Sequence, residues 1–397
     1  MAHRALLLAA MARGTSRVGP LPDSRDVEAT RHILKTLGVP IEEEGAGWVR
    51  IGGRGGPLAA VPDTLFCGAS GTTLRLTAAL AGAGEGTFRL DGEEQLRRRP
   101  LHDLKAPLEA LGASVRFLGE EGHAPVEVRG RRWRGGEVTV SGEASSQFLS
   151  GILLGAPLAE GPLVVRAREL VSAPYALLTA ELMARFGVSV ERRARAFGVR
   201  PGAYRAATVE VEPDASAAAF LFAAAAVTGG EVTVPGVGPG LLQGDARFPR
   251  FLEAMGVTVE AGAHGTTVRG LPRRGLEAEV EEVPDLVPPL VAVALRAPEP
   301  SLLRGVGHLR HKESDRIEVL SRGIAALGGR LEVSGNALRV HPLRPRRGAC
   351  LDPRGDHRMA MAFAVTGLWV PDLLVEDPSC VDKSFPRFFP SLLSLLA

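Results

Sequence analysis

The sequence predicts an α/β protein of two domains built from mixed α and β units about 70 residues long. Three observations carry that expectation. A pattern, apolar-x-x-apolar-Gly-small-x-apolar, recurs with some variation around Gly38, Gly112, Gly187, Gly256 and Gly328, at intervals of 74, 75, 69 and 72 residues. Short β-like runs bounded by Gly and Pro alternate with Ala-rich helical runs. The length of 397 residues exceeds an ordinary single core and suits two domains.

Residues 5–12, apolar and preceded by Arg4, read as a buried helix, because Arg13, Gly14 and Thr15 follow without an export pattern. Each Gly anchor reads as the end of an amphipathic helix, a left-handed cap, then a strand. Helices are expected at residues 74–81, after Gly68-Ala69-Ser70-Gly71-Thr72-Thr73, and at residues 148–154, after Ser145-Ser146-Gln147. Residues 163–166 read as a strand. Three anchors precede Val211 and two follow it, so the domains are expected at residues 1–212 and 213–397. The second opens with a helix at residues 215–227, between a capping Asp214 and Gly229-Gly230, then a strand at residues 231–234. Further helices are expected at residues 286–295, from Lys312, from Asp356 and at residues 390–397. The last carries no Gly anchor, so the second half reads as one unit short.

Composition narrows the function. At 45% hydrophobic and 23% charged the chain is globular, and a net charge of +2 supplies no bulk attraction to nucleic acid or membrane. Cys67, Cys350 and Cys380 are too dispersed for a disulfide framework or a zinc site, which points to a reducing cytosol. No apolar run approaches the roughly 20 residues of a membrane span. Neither a Gly-x-Gly-x-x-Gly fingerprint after a strand nor a Walker phosphate loop is present.

Local charge is more informative. Lys312-Glu313-Ser314-Asp315-Arg316 and Gly355-Asp356-His357-Arg358 place cations at two expected helix starts, where the backbone dipole already favours anions. Only four of the 47 basic residues are lysines, and two of these, Lys312 and Lys383, fall in candidate sites. Helical spacing from Lys312 would set Lys312 and Glu313 beside Arg316, either as a surface ladder or as a site. Gly68 to Thr73 and Ser145 to Gln147 are small-residue helix starts, suited to an anion or to ordinary capping. Arg97 and Arg98 read as a solvated loop, and Asp285 as a helix cap or a functional carboxylate.

Together these residues resemble the 5-enolpyruvylshikimate-3-phosphate synthase family of enolpyruvyl transferases. The likeness runs through Arg4 and the following apolar run, Gly68 to Arg75, Arg99-Pro100, Ser145 to Leu149, Ser172 with Pro174-Tyr175, Pro284-Asp285, Lys312 to Arg316, Asp356 to Met361, and Lys383-Ser384-Phe385-Pro386. The resemblance implies two similar domains of repeated βαβαββ units with helices buried inside, an inside-out α/β barrel-like fold. It implies transfer of the carboxyvinyl group of phosphoenolpyruvate to 3-phosphoshikimate, without cofactor or metal, by a cytoplasmic monomer with no nucleic-acid or membrane partner. Asp285 and Glu313 would be the catalytic acids and bases. Arg4, Ser145, Ser146, Ser172, Asp285, His308 and Lys312 would bind 3-phosphoshikimate, and Gly71, Arg99, Gln147, Arg316, Arg358 and Lys383 would surround phosphoenolpyruvate.

The likeness has departures. Ala69 stands where the family carries Asn, and His308 where some relatives place Asn. The family's Gly-x-Lys-Ser segment and first strand have no counterpart before Arg4, so reduced turnover is expected of the chain as written, with the second domain lacking an N-terminal strand. The alternatives are enolpyruvyl transfer to UDP-N-acetylglucosamine, which usually employs a loop Cys absent near residues 95–101, and a catalytically impaired protein that binds a phospholigand.

Overall fold

The computed structural model describes residues 1–142, 145–169, 171–345 and 348–395. The chain separates into two compact units, Met1–Val211 and Glu212–Ala397. The first unit holds three four-stranded sheets of one topology, in which a lone strand runs parallel to an inner strand that continues into an antiparallel hairpin. Thr64–Phe66, Thr87–Asp91, Val126–Arg129 and Ser114–Phe117 form one sheet in that order. Gly136–Val140, Leu163–Ala167, Ala196–Val199 and Val190–Arg193 form the next. In the remaining sheet the lone strand is Thr208–Glu210, from the far end of the unit, paired with Arg13–Gly19 and followed by Trp48–Arg54 and Ile41–Gly45. Two βαβαββ repeats are thus continuous in sequence, and the third is closed by a long-range parallel pairing.

Helices fill the inside of the unit. The helix Ala2–Met11 is buried over nearly its whole surface, as are Gly71–Gly82 and Gln147–Gly155, so these read as apolar all round rather than amphipathic. The sheets alternate buried and exposed residues, as in Thr87–Asp91, with one face on the helices and one in water. Gly53 allows the closest approach: a Cβ there would lie 2.1 Å from the Ala12 carbonyl oxygen, just beyond the end of helix Ala2–Met11.

The second unit repeats the scheme with fewer strands. Glu277–Glu279, Ser301–Arg304, Ala337–Val340 and Leu331–Ser334 form a complete four-stranded sheet. Glu231–Pro235, Gly265–Arg269 and Thr258–Gly262 form a three-stranded sheet without the lone parallel strand. Cys350–Leu351 pairs in parallel with Leu374–Val375 in a two-stranded sheet. A third repeat is therefore present, although its Gly anchor is not, which corrects the expectation that a whole unit is missing. The anchor joins a helix end to the first strand of a hairpin, and no hairpin follows the last helix, Phe388–Ser394, among the described residues. Residues 396 and 397 of the expected final helix lie outside the described residues.

All five anchors have positive φ, between 75° and 101°. In each, the residue after the glycine donates its N–H five residues back, as Val39 does to Leu34 at 2.9 Å and Val188 to Met183 at 2.9 Å. That is the Schellman closure, and its left-handed residue is why glycine recurs there. The helix Ala215–Thr228 likewise begins where the Asp214 carboxylate accepts from the N–H groups of Ser216 and Ala217 and ends at Gly229, φ 81°.

Candidate active site

In the first unit the expected residues gather at helix N-terminal ends. The guanidinium of Arg99 lies against the start of helix Gly71–Gly82, so a Cβ on Gly71 would sit 2.4 Å from its Nη1. Ser70 caps that helix by accepting from the Thr73 N–H. Gln147, first residue of the helix Gln147–Gly155, donates its amide to Thr72 Oγ1 at 2.8 Å and accepts from Arg75 Nη1 at 3.0 Å. Arg75 also donates to the Pro100 carbonyl at 2.9 Å, tying the segment carrying Arg99 to both helices. Ser145 Oγ accepts from the Gln147 N–H at 3.2 Å, while Ser146 is buried at the cap position.

Arg4 is buried on helix Ala2–Met11, and its Nε donates to Thr179 Oγ1 at 2.7 Å and its Nη2 to Ser150 Oγ at 3.3 Å. Burial lowers its pKa to about 10, against a smaller opposing effect of Tyr175. It remains charged at neutral pH, with hydroxyl groups and no carboxylate as its described partners. Ser172, at the start of helix Ala173–Arg185, is buried and held at φ 58°, a conformation unfavourable for a residue with a Cβ.

In the second unit one guanidinium organises the site. Arg316 is 1% exposed and meets three carboxylates: Nε to Asp356 Oδ2 at 2.9 Å, Nη1 to Asp285 Oδ1 at 2.9 Å and Nη2 to Glu313 Oε2 at 2.8 Å. Asp285 Oδ2 pairs with Arg358 at 3.0 Å. Burial would raise the Asp285 pKa, but Arg358, Arg316 and Lys312 outweigh it and hold the carboxyl well below its usual range. Asp356 caps the helix His357–Gly367 by accepting from the Arg358 N–H and also accepts from Ser314 Oγ at 3.1 Å. Burial, then the charge of Lys312, pushes the His308 pKa down to about 3. Burial and Arg358 likewise keep His357 neutral, its Nδ1 2.6 Å from Ser384 Oγ. Lys383 is buried at the end of the 3-10 turn Pro378–Lys383.

The helix expected from Lys312 begins instead at Arg316, because Asp315 accepts from the Glu318 N–H and caps it there. Lys312 and Glu313 lie before the helix, and the Glu313–Arg316 pair forms without helical spacing. Asp285 sits in the 3-10 turn Pro284–Leu286, with its oxygens on guanidiniums rather than on a helix N–H. Sequence reasoning missed the positioning roles of Arg75, Thr72, Thr179, Ser150 and Asp356. A visible signal existed for Arg75, a lone charge inside the apolar run of residues 74–81.

Glu313, Asp356 and His357 each place a ligand atom within 4.8 Å of the others. Both carboxylates are already bonded to Arg316, and Lys383 acts on His357, so the field there suits an anion better than a cation.

Comparison with known proteins places these residues in context. The family model described as EPSP synthase (3-phosphoshikimate 1-carboxyvinyltransferase) matches residues 1–392. The chain is 42% identical to the 3-phosphoshikimate 1-carboxyvinyltransferase of Methanoculleus marisnigri, covering 98% of this chain and 93% of that protein. It is 38% identical to that of Nostoc punctiforme, covering 100% and 94%. The solved EPSP synthase of Acinetobacter baumannii superposes with a TM-score of 0.81 at 28% identity, over 99% of this chain and 92% of that one. On the match along nearly its whole length, the chain belongs to the EPSP synthase family, whose two-domain inside-out α/β fold it shares.

Proposed function

We propose that the chain transfers the carboxyvinyl group of phosphoenolpyruvate to the 5-hydroxyl of 3-phosphoshikimate and releases inorganic phosphate. The observation that carries this reading is the Asp285 carboxylate, ionised and paired at 2.9 Å and 3.0 Å with Arg316 and Arg358. In the addition step the hydroxyl oxygen bonds to C2 of phosphoenolpyruvate. Asp285 takes the hydroxyl proton, and Glu313 gives a proton to the methylene carbon, which becomes a methyl group. The tetrahedral intermediate then loses phosphate, which leaves with the proton held by Asp285, as the methyl carbon returns a proton to Glu313 and the double bond re-forms.

Asp285 is a weak base while two guanidiniums face it. A phosphate or carboxylate that draws their charge away raises its proton affinity as the substrates assemble. Arg316, Arg358 and Lys383 suit such an anion, as do Arg99 over Gly71 and the amide of Gln147 in the first unit. Arg4, buried among hydroxyl groups, suits the carboxylate of 3-phosphoshikimate, with Ser145, Ser146 and Ser172 for its phosphate and His308 and Lys312 for its remaining polar groups.

The reading includes a cytoplasmic monomer. A net charge of +2 fits a chain without a nucleic-acid or membrane partner. No described helix is long and apolar enough to cross a membrane. The test is phosphate release from phosphoenolpyruvate with 3-phosphoshikimate or UDP-N-acetylglucosamine as acceptor. Release with the first alone is expected, and release with the second alone would overturn the assignment.

A further inference from the structure

The outer faces of the sheets balance their charges across strands. Glu127 lies between Arg89 at 3.1 Å and Arg116 at 2.9 Å. Arg269 lies between Glu231 at 3.0 Å and Glu260 at 2.9 Å, and Arg304 meets Glu277 at 2.6 Å. Where two arginines stand directly opposite, as Arg17 and Arg50 do, Glu44 serves both, at 2.5 Å and 3.6 Å.

The start of the same strand breaks this rule. Arg13 is registered with Arg54 on one side and with Arg205 on the other, and all three are exposed. Residues directly opposite on neighbouring strands share a face, and like charges there repel. Among the described residues no carboxylate lies within ion-pair distance of any of the three. Arg54 donates to the Leu37 carbonyl at 3.3 Å, at the end of helix Arg25–Thr36. Room beside the row is preserved by glycine: a Cβ at Gly55 would lie 3.0 Å from Arg13 Cγ, and one at Gly187 3.6 Å from Arg205 Cδ.

We propose that Arg13, Arg54 and Arg205 form a surface site for a linear oligophosphate. Three adjacent chain segments span about 10 Å, wider than one phosphate group but within reach of a short phosphate chain. Guanidinium forks match phosphoryl oxygens, and an anion of three or more charges removes the mutual repulsion of the row. The site lies outside the residues assigned to the enolpyruvyl-transfer reaction.

The experiment is calorimetric titration of the full chain at low salt with inorganic tripolyphosphate, orthophosphate and citrate, for the parent and for the double variant Arg13→Gln, Arg205→Gln. Melting temperature and phosphate-release activity are recorded alongside. Tripolyphosphate affinity is expected to fall at least tenfold in the double variant, with orthophosphate and citrate affinities unchanged. The anion-free variant is expected to melt no lower than the parent, since a repulsive row has been relieved, and to keep its activity. Equal tripolyphosphate affinity in both proteins would overturn the site. A variant-sensitive loss of orthophosphate or citrate as large as that of tripolyphosphate would overturn the ligand class. A marked fall in melting temperature would show that the arginines are structural and overturn the proposal as well.

Discussion

At the scale of single residues, the electrostatics of the second unit make two quantitative demands. Arg316 is the sole described guanidinium joining Asp285, Glu313 and Asp356. Replacing it with Met leaves three carboxylates around an apolar side chain, so Arg316→Met is expected to lose about 3–5 kcal/mol of stability. Urea denaturation at neutral pH measures this, and a loss under about 1 kcal/mol, the scale of an exposed pair, would contradict the cluster's structural role. His308 makes a pH prediction. Its folded pKa is about 3, below the ordinary histidine value near 6.5, so the unfolded chain binds a proton that the folded chain refuses. The stabilisation is fully present above about pH 6.5 and is lost as pH falls toward 3, at up to about 1.4 kcal/mol per pH unit. His308→Asn removes that slope. Denaturation curves at pH 7.5 and 5.5 that decline equally in both proteins would refute the assignment. The Asp285 carboxyl, held below its usual range, adds a further decline below about pH 4.

At the scale of elements, glycine separates conformational from steric requirements. Gly328 has φ 76° and open space around its missing Cβ, so Gly328→Ala is expected to cost about 1 kcal/mol through backbone strain alone. Gly53 has no positive φ, but a Cβ there would lie 2.1 Å and 2.5 Å from the Ala12 and Ala9 carbonyl oxygens, so Gly53→Ala is expected to cost about 3 kcal/mol. Thermal unfolding of the two variants orders them, and a larger loss at Gly328 would reverse the reasoning. This contrast also explains what was legible in the sequence. The Schellman glycines, the Asp214 cap and the apolar helix Ala2–Met11 are written locally, within a turn or two of chain. The parallel pairing of Arg13–Gly19 with Thr208–Glu210 joins segments almost 200 residues apart and leaves no local mark. The helical spacing expected of Lys312, Glu313 and Arg316 overlooks that an acidic residue immediately before Arg316 can cap the helix there, as Asp315 does. The partners of Arg4, Thr179 and Ser150, are ordinary helical residues until the fold sets them beside a buried cation.

At the scale of the whole molecule, repetition places the chemistry. In a βαβ unit the first helix begins where the lone strand ends, so the N-terminal ends of such helices collect at one end of their sheets. Gly71, Gln147, Asp285 and Arg358 all lie at or next to the starts of such helices. Backbone N–H groups and dipoles there add to the positive side chains, and each unit acquires an anion-favouring end from the same architectural rule. The resemblance in sequence singles out these residues by type and order and implies their roles, whereas the ion pairs that gather Asp285, Glu313 and Asp356 on Arg316 are visible only in the fold.

The central claim is that Asp285, ionised between Arg316 and Arg358, takes the hydroxyl proton. Single-turnover phosphate release with phosphoenolpyruvate and 3-phosphoshikimate tests it in the parent and in Asp285→Asn, with 3-phosphoshikimate binding measured in parallel. The amide keeps the shape and loses the base, so release is expected to slow by about 10²–10⁴-fold while binding changes by less than about tenfold. Release at the parental rate by Asp285→Asn would contradict the account.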